Sequence, residues 1–165
     1  MIEEDDVLRK IAVITALVLI LSFNQANAAE KKFTKPASRD KCPVCGMFVA
    51  KYPDWVAEVV FSDGSYAVFD GPKDLFKYYL DLKQYAPGKG HSDIDRLFVT
   101  DYYAVSHVDA RTAFYVLGSD VYGPMGKELV PFAGEVDARE FLKDHKGGKV
   151  LRFNEITPAV LKELD

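Results

Sequence analysis

Two segments of this chain follow the same order of two strands, a helix and a third strand, and this repetition constrains the fold more than any other feature. Each segment enters its helix through the same six-residue junction, Phe-x-Gly-x-x-Asp, which begins at Phe69 in the first segment and at Phe132 in the second. The repeated order favours an α+β fold in which two β-β-α-β units, approximately 42–105 and 106–156, pack together as one domain.

The first segment begins with a predicted β-hairpin. Alternating apolar residues indicate a strand over 55–61, Asp63-Gly64 is a typical two-residue hairpin turn, and a return strand follows over 65–69. We expect Asp70 to cap the next helix, because an N-cap carboxylate accepts a backbone N–H of the first turn. Pro72 then falls in that turn, where its missing N–H costs no hydrogen bond.

A strand near 97–100 completes the first segment, and the second segment repeats the scheme. Its strands are predicted over 112–117, 128–132 and 150–153. Its helix is predicted over 137–144 and is stopped by Gly147-Gly148. After the third strand, Thr157 and Pro158 indicate the start of a short terminal helix.

The N-terminal residues are typical of an export signal. Arg9 and Lys10 precede an apolar run over 11–23, and Ala26-Asn-Ala28 offers small residues at the positions that a signal peptidase reads. The run is shorter than the stretch of about 20 residues that spans a bilayer comfortably. We therefore predict a signal peptide over 1–28 and a periplasmic protein. An uncleaved signal that anchors the protein in the membrane is the alternative.

The rest of the chain is predicted to consist of a linker over 29–41, which is charged and carries Pro36, and a domain over 42–165. Without the signal, 19 Lys and Arg residues face 21 Asp and Glu residues, so the surface is close to neutral. Binding to nucleic acid needs a basic face. We therefore expect no nucleic-acid partner.

The segment Cys42-Pro-Val-Cys45-Gly-Met47 carries the strongest chemical signal. A disulfide between its cysteines is natural in an exported protein, although so small a loop stabilises little. A thioredoxin-like redox pair needs the cysteines at the start of a helix, and no helical pattern follows them. A structural zinc site takes four Cys or His ligands, whereas this chain has two cysteines and three scattered histidines.

Met47 favours a fourth interpretation, a soft-metal site for Cu(I). A thioether beside a thiolate suits this ion, and Gly46 permits a backbone turn tight enough for Cys45 and Met47 to face it. Met125, between glycines in Gly123-Pro-Met-Gly126, is a poor hydrophobic anchor and a further candidate ligand, with a role as core filler as the alternative. The candidate metal ligands are Cys45, Met47, Met125 and Cys42.

The histidines add little to this site. His91 lies in a glycine-rich loop and is expected to be solvated. His145 is predicted at a helix C-terminus, where a cation is favourable. For His107, between the two units, we expect a structural role, since a single histidine signals little by itself.

Several motifs in order along residues 40–156 together resemble the nitrous oxide reductase accessory protein (NosL) family. They are the Cys-x-x-Cys-Gly-Met segment, Asp109-Ala-Arg111, Val116-x-Gly-Ser119, Gly123-Pro-Met-Gly126 with Pro131-Phe132 after it, and Gly147-Gly148. The resemblance implies a periplasmic copper(I) chaperone that supplies nitrous oxide reductase or another cuproenzyme, with a membrane-bound maturation complex as a further partner. It also implies a two-unit β-β-α-β fold related to a domain of organomercurial lyase.

By position, the resemblance carries over Cys45, Met47 and Met125 as copper ligands. Many members of the family are lipoproteins, and this chain has no cysteine close enough to the apolar run to accept a lipid. Two other functions stay open: a periplasmic thiol oxidoreductase or carbon–metal lyase that uses Cys42 and Cys45, and an interaction module stapled by zinc or a disulfide. The two methionines favour a chaperone that is not an enzyme, because a redox enzyme needs neither of them.

Overall fold

The predicted first hairpin is present in the computed structural model, which describes residues 33–165. Strands β1 (Ala57–Phe61) and β2 (Tyr66–Phe69) pair in antiparallel register. The expectation that the first strand begins at residue 55 is wrong. Pro53–Trp55 forms a turn of 3-10 helix instead, because a proline at the first position fixes a helical backbone angle. The predicted signal peptide over 1–28 lies outside the described residues.

Strands β3 (Ile94–Thr100) and β4 (His107–Asp109) join this hairpin in the larger sheet. The strand order is β2-β1-β3-β4, and every neighbouring pair is antiparallel. Because β1 is an interior strand, all five of its residues are buried, including Glu58, and its two faces do not alternate between core and solvent. Helices α1 (Pro72–Leu80) and α2 (Leu82–Tyr85) connect β2 to β3.

The smaller sheet repeats this arrangement with the order β8-β5-β9. Its strands are β5 (Phe114–Leu117), β8 (Val130–Phe132) and β9 (Lys149–Arg152), and helix α3 (Glu135–Asp144) connects β8 to β9. In both sheets the first strand of the unit lies between the second and the third. The predicted α+β fold of two β-β-α-β units is therefore confirmed.

The second unit differs from the first by an inserted hairpin between β5 and β8. Its strands, β6 (Tyr122–Gly123) and β7 (Gly126–Lys127), have two residues each, so Pro124 and Met125 form its turn. Helix α4 (Pro158–Lys162) follows β9, and the Thr157 side chain caps it as predicted by accepting the N–H of Val160.

Residues of both units form the larger of two hydrophobic clusters in the described part of the chain, and the smaller cluster consists of buried residues of the second unit. On α1, the Phe76 ring meets the ring of Tyr115 on β5 edge to face, with centroids 5.1 Å apart. Both residues are almost fully buried. Before the first unit, the Phe33 ring stacks on the ring of His107 at a centroid distance of 3.4 Å, within the stretch predicted as a linker. Within the described residues, no helix is both long and apolar enough to cross a bilayer.

Candidate metal centre

The Cys42–Met47 segment folds into a tight loop that its own backbone closes. The N–H of Cys42 donates to the carbonyl of Met47, and the N–H of Gly46 donates to the carbonyl of Cys42, both at 2.9 Å. Gly46 has a φ of +79°, in the left-handed region that glycine enters without steric cost. The segment is therefore a loop and not the start of a helix, so the arrangement of a thioredoxin-like pair is not formed.

The junction between β2 and α1 brings two carboxylates to this loop. The Cys45 thiol donates to Oδ1 of Asp70 at 3.1 Å, and the Cys42 thiol donates to Oδ2 of Asp74 at 3.2 Å. The sulfur and oxygen ligand atoms of all four residues lie within 4.8 Å of one another. This spacing is that of donors around a single ion, and we call the four residues the Cys–Asp cluster.

The expectation that Asp70 caps the helix is wrong, and the difference explains the cluster. The N-cap of α1 is Gly71, with no capping bond from its own segment. The carboxyl group of Glu128, from the second unit, instead accepts the N–H of Lys73 at 2.6 Å through its Oε1. Because Glu128 satisfies this N–H of the first helical turn, the side chain of Asp70 is left to accept the thiol of Cys45.

The sequence motifs did not single out Asp70 or Asp74 as site residues, although a comparison of the two junctions contains the signal. The counterpart of Asp74 in the second unit is Asp137, and the counterpart of Asp70 is Ala133. Asp74 is buried, whereas Asp137 is exposed. The extra aspartate in the first junction therefore marks the unit that carries the cluster.

Burial controls the protonation of both thiols. It raises the pKa of Cys42 far above its ordinary value, against two backbone N–H groups that lower it, and the charges of Asp74 and Asp70 raise it further. Cys45 has a pKa of about 12, again raised first by burial; the N–H of Met47 lowers it, and the hydrogen bonds to Asp70 and Asp74 raise it. At neutral pH each thiol is therefore protonated and donates to a carboxylate. A cation that binds sulfur has to replace such a proton.

The Cys–Asp cluster bears on two alternatives to a copper site, namely a disulfide and a zinc site. Cys42 and Cys45 are both free thiols, so the disulfide considered above is not formed. The cysteines and histidines alone are too few for a structural zinc site, but Asp70 and Asp74 add two oxygen donors to the two sulfurs. The number of donors therefore no longer argues against a divalent ion, and the choice of metal depends on the softness of the ligands.

The two candidate thioether ligands, Met47 and Met125, lie in two different loops. Met47 closes the cysteine loop and is half-buried. Met125 is 44% exposed at the turn of the β6–β7 hairpin, so a role as core filler does not account for it. The backbone carbonyl of Met125 accepts a hydrogen bond of 3.0 Å from Nζ of Lys73, the neighbour of Asp74 in the sequence. The described contacts thus connect the turn to the helix end that carries Asp74.

The histidines make contacts outside the Cys–Asp cluster. Nδ1 of His107 lies 3.3 Å from Oγ1 of Thr100, and burial lowers the pKa of this histidine. His145 pairs with Asp120, and Nε2 of His91 lies 2.9 Å from the carbonyl of Tyr79. Each ring therefore has a local structural contact.

Comparisons of this chain with a family model and with a curated relative point to the same family. The chain matches the family model described as NosL over residues 32–161. It is 31% identical, over 171 aligned residues, to the copper-binding lipoprotein NosL of Stutzerimonas stutzeri, and the alignment covers 94% of this chain and 86% of the relative. The matched range includes the cysteine loop, both carboxylates and the Met125 turn.

Two solved structures are also similar. The crystal structure of the copper chaperone NosL from Shewanella denitrificans has a TM-score of 0.65 and 28% identity, with 78% of this chain and 98% of that chain covered. The solution structure of the apo-NosL protein from Achromobacter cycloclastes has a TM-score of 0.46 and 27% identity, with 64% and 87% covered. The first of these comparisons agrees with the α+β architecture described above.

Proposed function

The chain belongs to the NosL family, and we propose that it is an exported metallochaperone that binds Cu(I) and delivers it to a periplasmic cuproenzyme. The observation that carries this proposal is the Cys–Asp cluster, which brings two thiols and two carboxyl groups together, the thiols on a loop whose backbone is closed by the carbonyl of Met47. The descriptions of the relatives from S. stutzeri and S. denitrificans support copper as the cargo. The resemblance supports nitrous oxide reductase as the receiving enzyme.

In this proposal Cys45 and Met47 are the principal ligands. A thiolate and a thioether are soft donors that suit Cu(I), whereas carboxylate oxygens are hard donors that do not. One thiolate balances the single charge of the ion. A second thiolate would add to the negative charge that Asp70 and Asp74 already bring to this site, which is costly where the dielectric constant is low.

Cys42 has a different role from Cys45 in this scheme. It is the more deeply buried thiol, 1% exposed, and its pKa is the more strongly raised. It therefore keeps its proton and its hydrogen bond to Asp74 more readily than Cys45 does. The carboxylates of Asp70 and Asp74 accept hydrogen bonds from the two thiols in the copper-free protein and provide a negative field that attracts the cation.

Release to a partner follows from the exposure of the ligands. Met125 is 44% exposed, and Cys45 and Met47 are half-buried. A ligand from the receiving protein can then reach the ion before the last chaperone ligand leaves, so that transfer does not pass through free copper. A membrane-bound maturation complex is the proposed setting for this exchange, and the lipoprotein relative supports a location at the membrane outside the cytoplasm.

The geometry gives less support to an enzyme that uses the same cysteines. A thiol oxidoreductase needs a thiolate of lowered pKa, whereas burial raises the pKa of Cys45 to about 12. We therefore propose that the protein has no catalytic role. Measurable turnover of a disulfide or an organometallic substrate, lost in Cys42→Ser and Cys45→Ser, would overturn this part of the proposal.

A competition titration against a chromophoric Cu(I) chelator tests the proposal directly. The reduced protein without residues 1–28 should withdraw one equivalent of copper from the chelator. Cys45→Ser, which replaces a soft ligand by a hard hydroxyl, is the matched variant, and it should withdraw almost none. If the wild-type protein withdraws no copper even from a weak chelator, the chaperone function is wrong.

A further inference from the structure

We propose that Lys73 and Glu128 are positioning residues that fix the Met125 turn at the N-terminal end of α1, next to the Cys–Asp cluster. The inference rests on the proposed function, because fixing the turn affects copper binding only if Met125 is a copper ligand. The contacts themselves join the two units through side chains that are almost fully buried.

Lys73 holds the turn from the helix side. Its side chain is 4% exposed, and its ammonium group donates to the backbone carbonyl of Met125 at 3.0 Å and to that of Leu164 at 3.4 Å. A buried ammonium group is costly unless its hydrogen bonds are satisfied. Both carbonyls are therefore held close to the ammonium group, and with them the backbone of the turn.

Glu128 holds the helix from the hairpin side. It follows β7 directly, is 3% exposed, and accepts the N–H of Lys73 at 2.6 Å and that of Leu129 at 2.9 Å. The side chain of residue 73 thus binds the backbone of the turn, while the side chain of residue 128 binds the backbone of residue 73. We call this reciprocal pair of contacts the clasp.

Two glycines make room for the clasp. A Cβ atom on Gly71 would lie 2.3 Å from Oε2 of Glu128, and one on Gly123 would lie 3.0 Å from Cγ of the same side chain. The glutamate therefore occupies the space where side chains would otherwise project from the helix N-cap and from β6. Close approach of the hairpin to the helix end depends on this pair of glycines.

The clasp matters because the same short stretch of chain contacts both sides of the site. Asp70 and Asp74 accept the thiols of the cysteine loop, whereas Gly71 and Lys73, between them, contact the hairpin. Strands of two residues each do not stabilise a hairpin by themselves. The clasp supplies the order that the Met125 thioether needs, and a ligand that is already ordered loses less entropy on binding.

A double-mutant cycle on the Kd for Cu(I) tests the clasp in the protein without residues 1–28. Lys73→Leu and Met125→Ala should each weaken binding, by about 5- to 150-fold, and the double variant should be no weaker than the worse single variant. Lys77→Leu is the matched control: it is one turn along α1 and pairs with the exposed Asp165. Its Kd should stay within about twofold of wild type.

Glu128 provides a second pair of variants in case Lys73→Leu does not fold. Glu128→Gln keeps an oxygen that accepts both N–H groups and should preserve the Kd, whereas Glu128→Leu removes the acceptor and should weaken binding as Met125→Ala does. Additive losses in the cycle, or a wild-type Kd in both Lys73→Leu and Glu128→Leu, would overturn the clasp.

A readout that needs no copper separates the clasp from the proposed function. Carbon-13 methyl spectra of the copper-free protein report on Met47 and Met125, because Met1 is removed with residues 1–28. In Lys73→Leu the Met125 methyl signal should narrow and move toward the position of a mobile methionine, while that of Met47 should not change. An unchanged Met125 signal refutes the clasp even if copper binds, and a changed signal supports it even if the wild-type protein binds no copper.

Discussion

Cu(I) binding is expected to tighten as the pH rises, because copper has to replace a proton on sulfur. Burial first, and then the hydrogen bonds to Asp70 and Asp74, raise the pKa of Cys45 to about 12, against the lowering effect of the Met47 N–H. Below that value the thiolate fraction rises about tenfold per pH unit. Binding of copper to the thiolate releases one proton, so affinity increases with pH over the whole neutral range.

The size of the change in Kd with pH indicates how many thiolates bind the ion. If only Cys45 loses its proton, the Kd should fall about 100-fold between about pH 6 and about pH 8. If Cys42 also lost its proton, the fall would be about 10,000-fold over the same range. Because Cys42 is 1% exposed and burial raises its pKa above that of Cys45, we expect the smaller change.

Competition titrations across this pH range, under anaerobic conditions and with a correction for protonation of the chelator, measure the slope. Cys42→Ser is the matched control and should keep the tenfold dependence per pH unit, whereas Cys45→Ser should lose it together with the binding. A Kd that does not change with pH would refute the reasoning, since no thiol of raised pKa could then be a ligand.

Three further predictions follow from the same geometry. Cys45→Ser should weaken Cu(I) binding far more than Cys42→Ser in a chelator competition, and equal losses would indicate instead that both cysteines chelate the ion. Met125→Ala should weaken the free energy of Cu(I) binding by about 1–3 kcal/mol. It should also reduce the increase in Tm that one equivalent of Cu(I) causes. An identical increase in Tm in the wild type and the variant would show that Met125 is not a ligand. Burial raises the pKa of Glu128 from its ordinary 4.5 to about 8, against hydrogen bonds from Leu129 and Lys73, so the folded state keeps a proton that the unfolded chain has lost. Stability should therefore fall as pH rises between these values, and thermal melts should show this fall in the wild type and much less of it in Glu128→Gln.

The fold was predictable because its signals are local. The hairpin turn at Asp63-Gly64 and the Phe-x-Gly-x-x-Asp junctions depend on neighbouring residues, and the structure confirms the hairpin and the repeated order of elements. The start of β1 was misplaced at Trp55, since an apolar alternation does not reveal that Pro53 begins a 3-10 turn. Interior strands also lose the alternation that identifies strands with one exposed face.

The site was predictable only in part because half of the cluster comes from a distant part of the chain. The cysteine loop carries its own signal, and Gly46 has the backbone angle that a tight turn requires. The pairs Cys45–Asp70 and Cys42–Asp74 join residues 25 and 32 positions apart. An aspartate just before a helix predicts an N-cap from the local sequence alone. Only the structure shows that the side chain of Glu128 accepts the N–H of Lys73 in place of that cap.

The thiol–carboxylate hydrogen bonds also bear on how the copper-free protein would withstand the oxidising compartment that its proposed export implies. Disulfide exchange and attack on oxidants proceed through the thiolate. At a pKa of about 12, the thiolate fraction of Cys45 at neutral pH is roughly one three-thousandth of that of an ordinary exposed cysteine, whose pKa is about 8.5. Burial, and after it the hydrogen bonds to Asp70 and Asp74, therefore also slow the oxidation of Cys45. In the exported carrier that we propose, such an environment would slow the loss of the free thiols before copper binds.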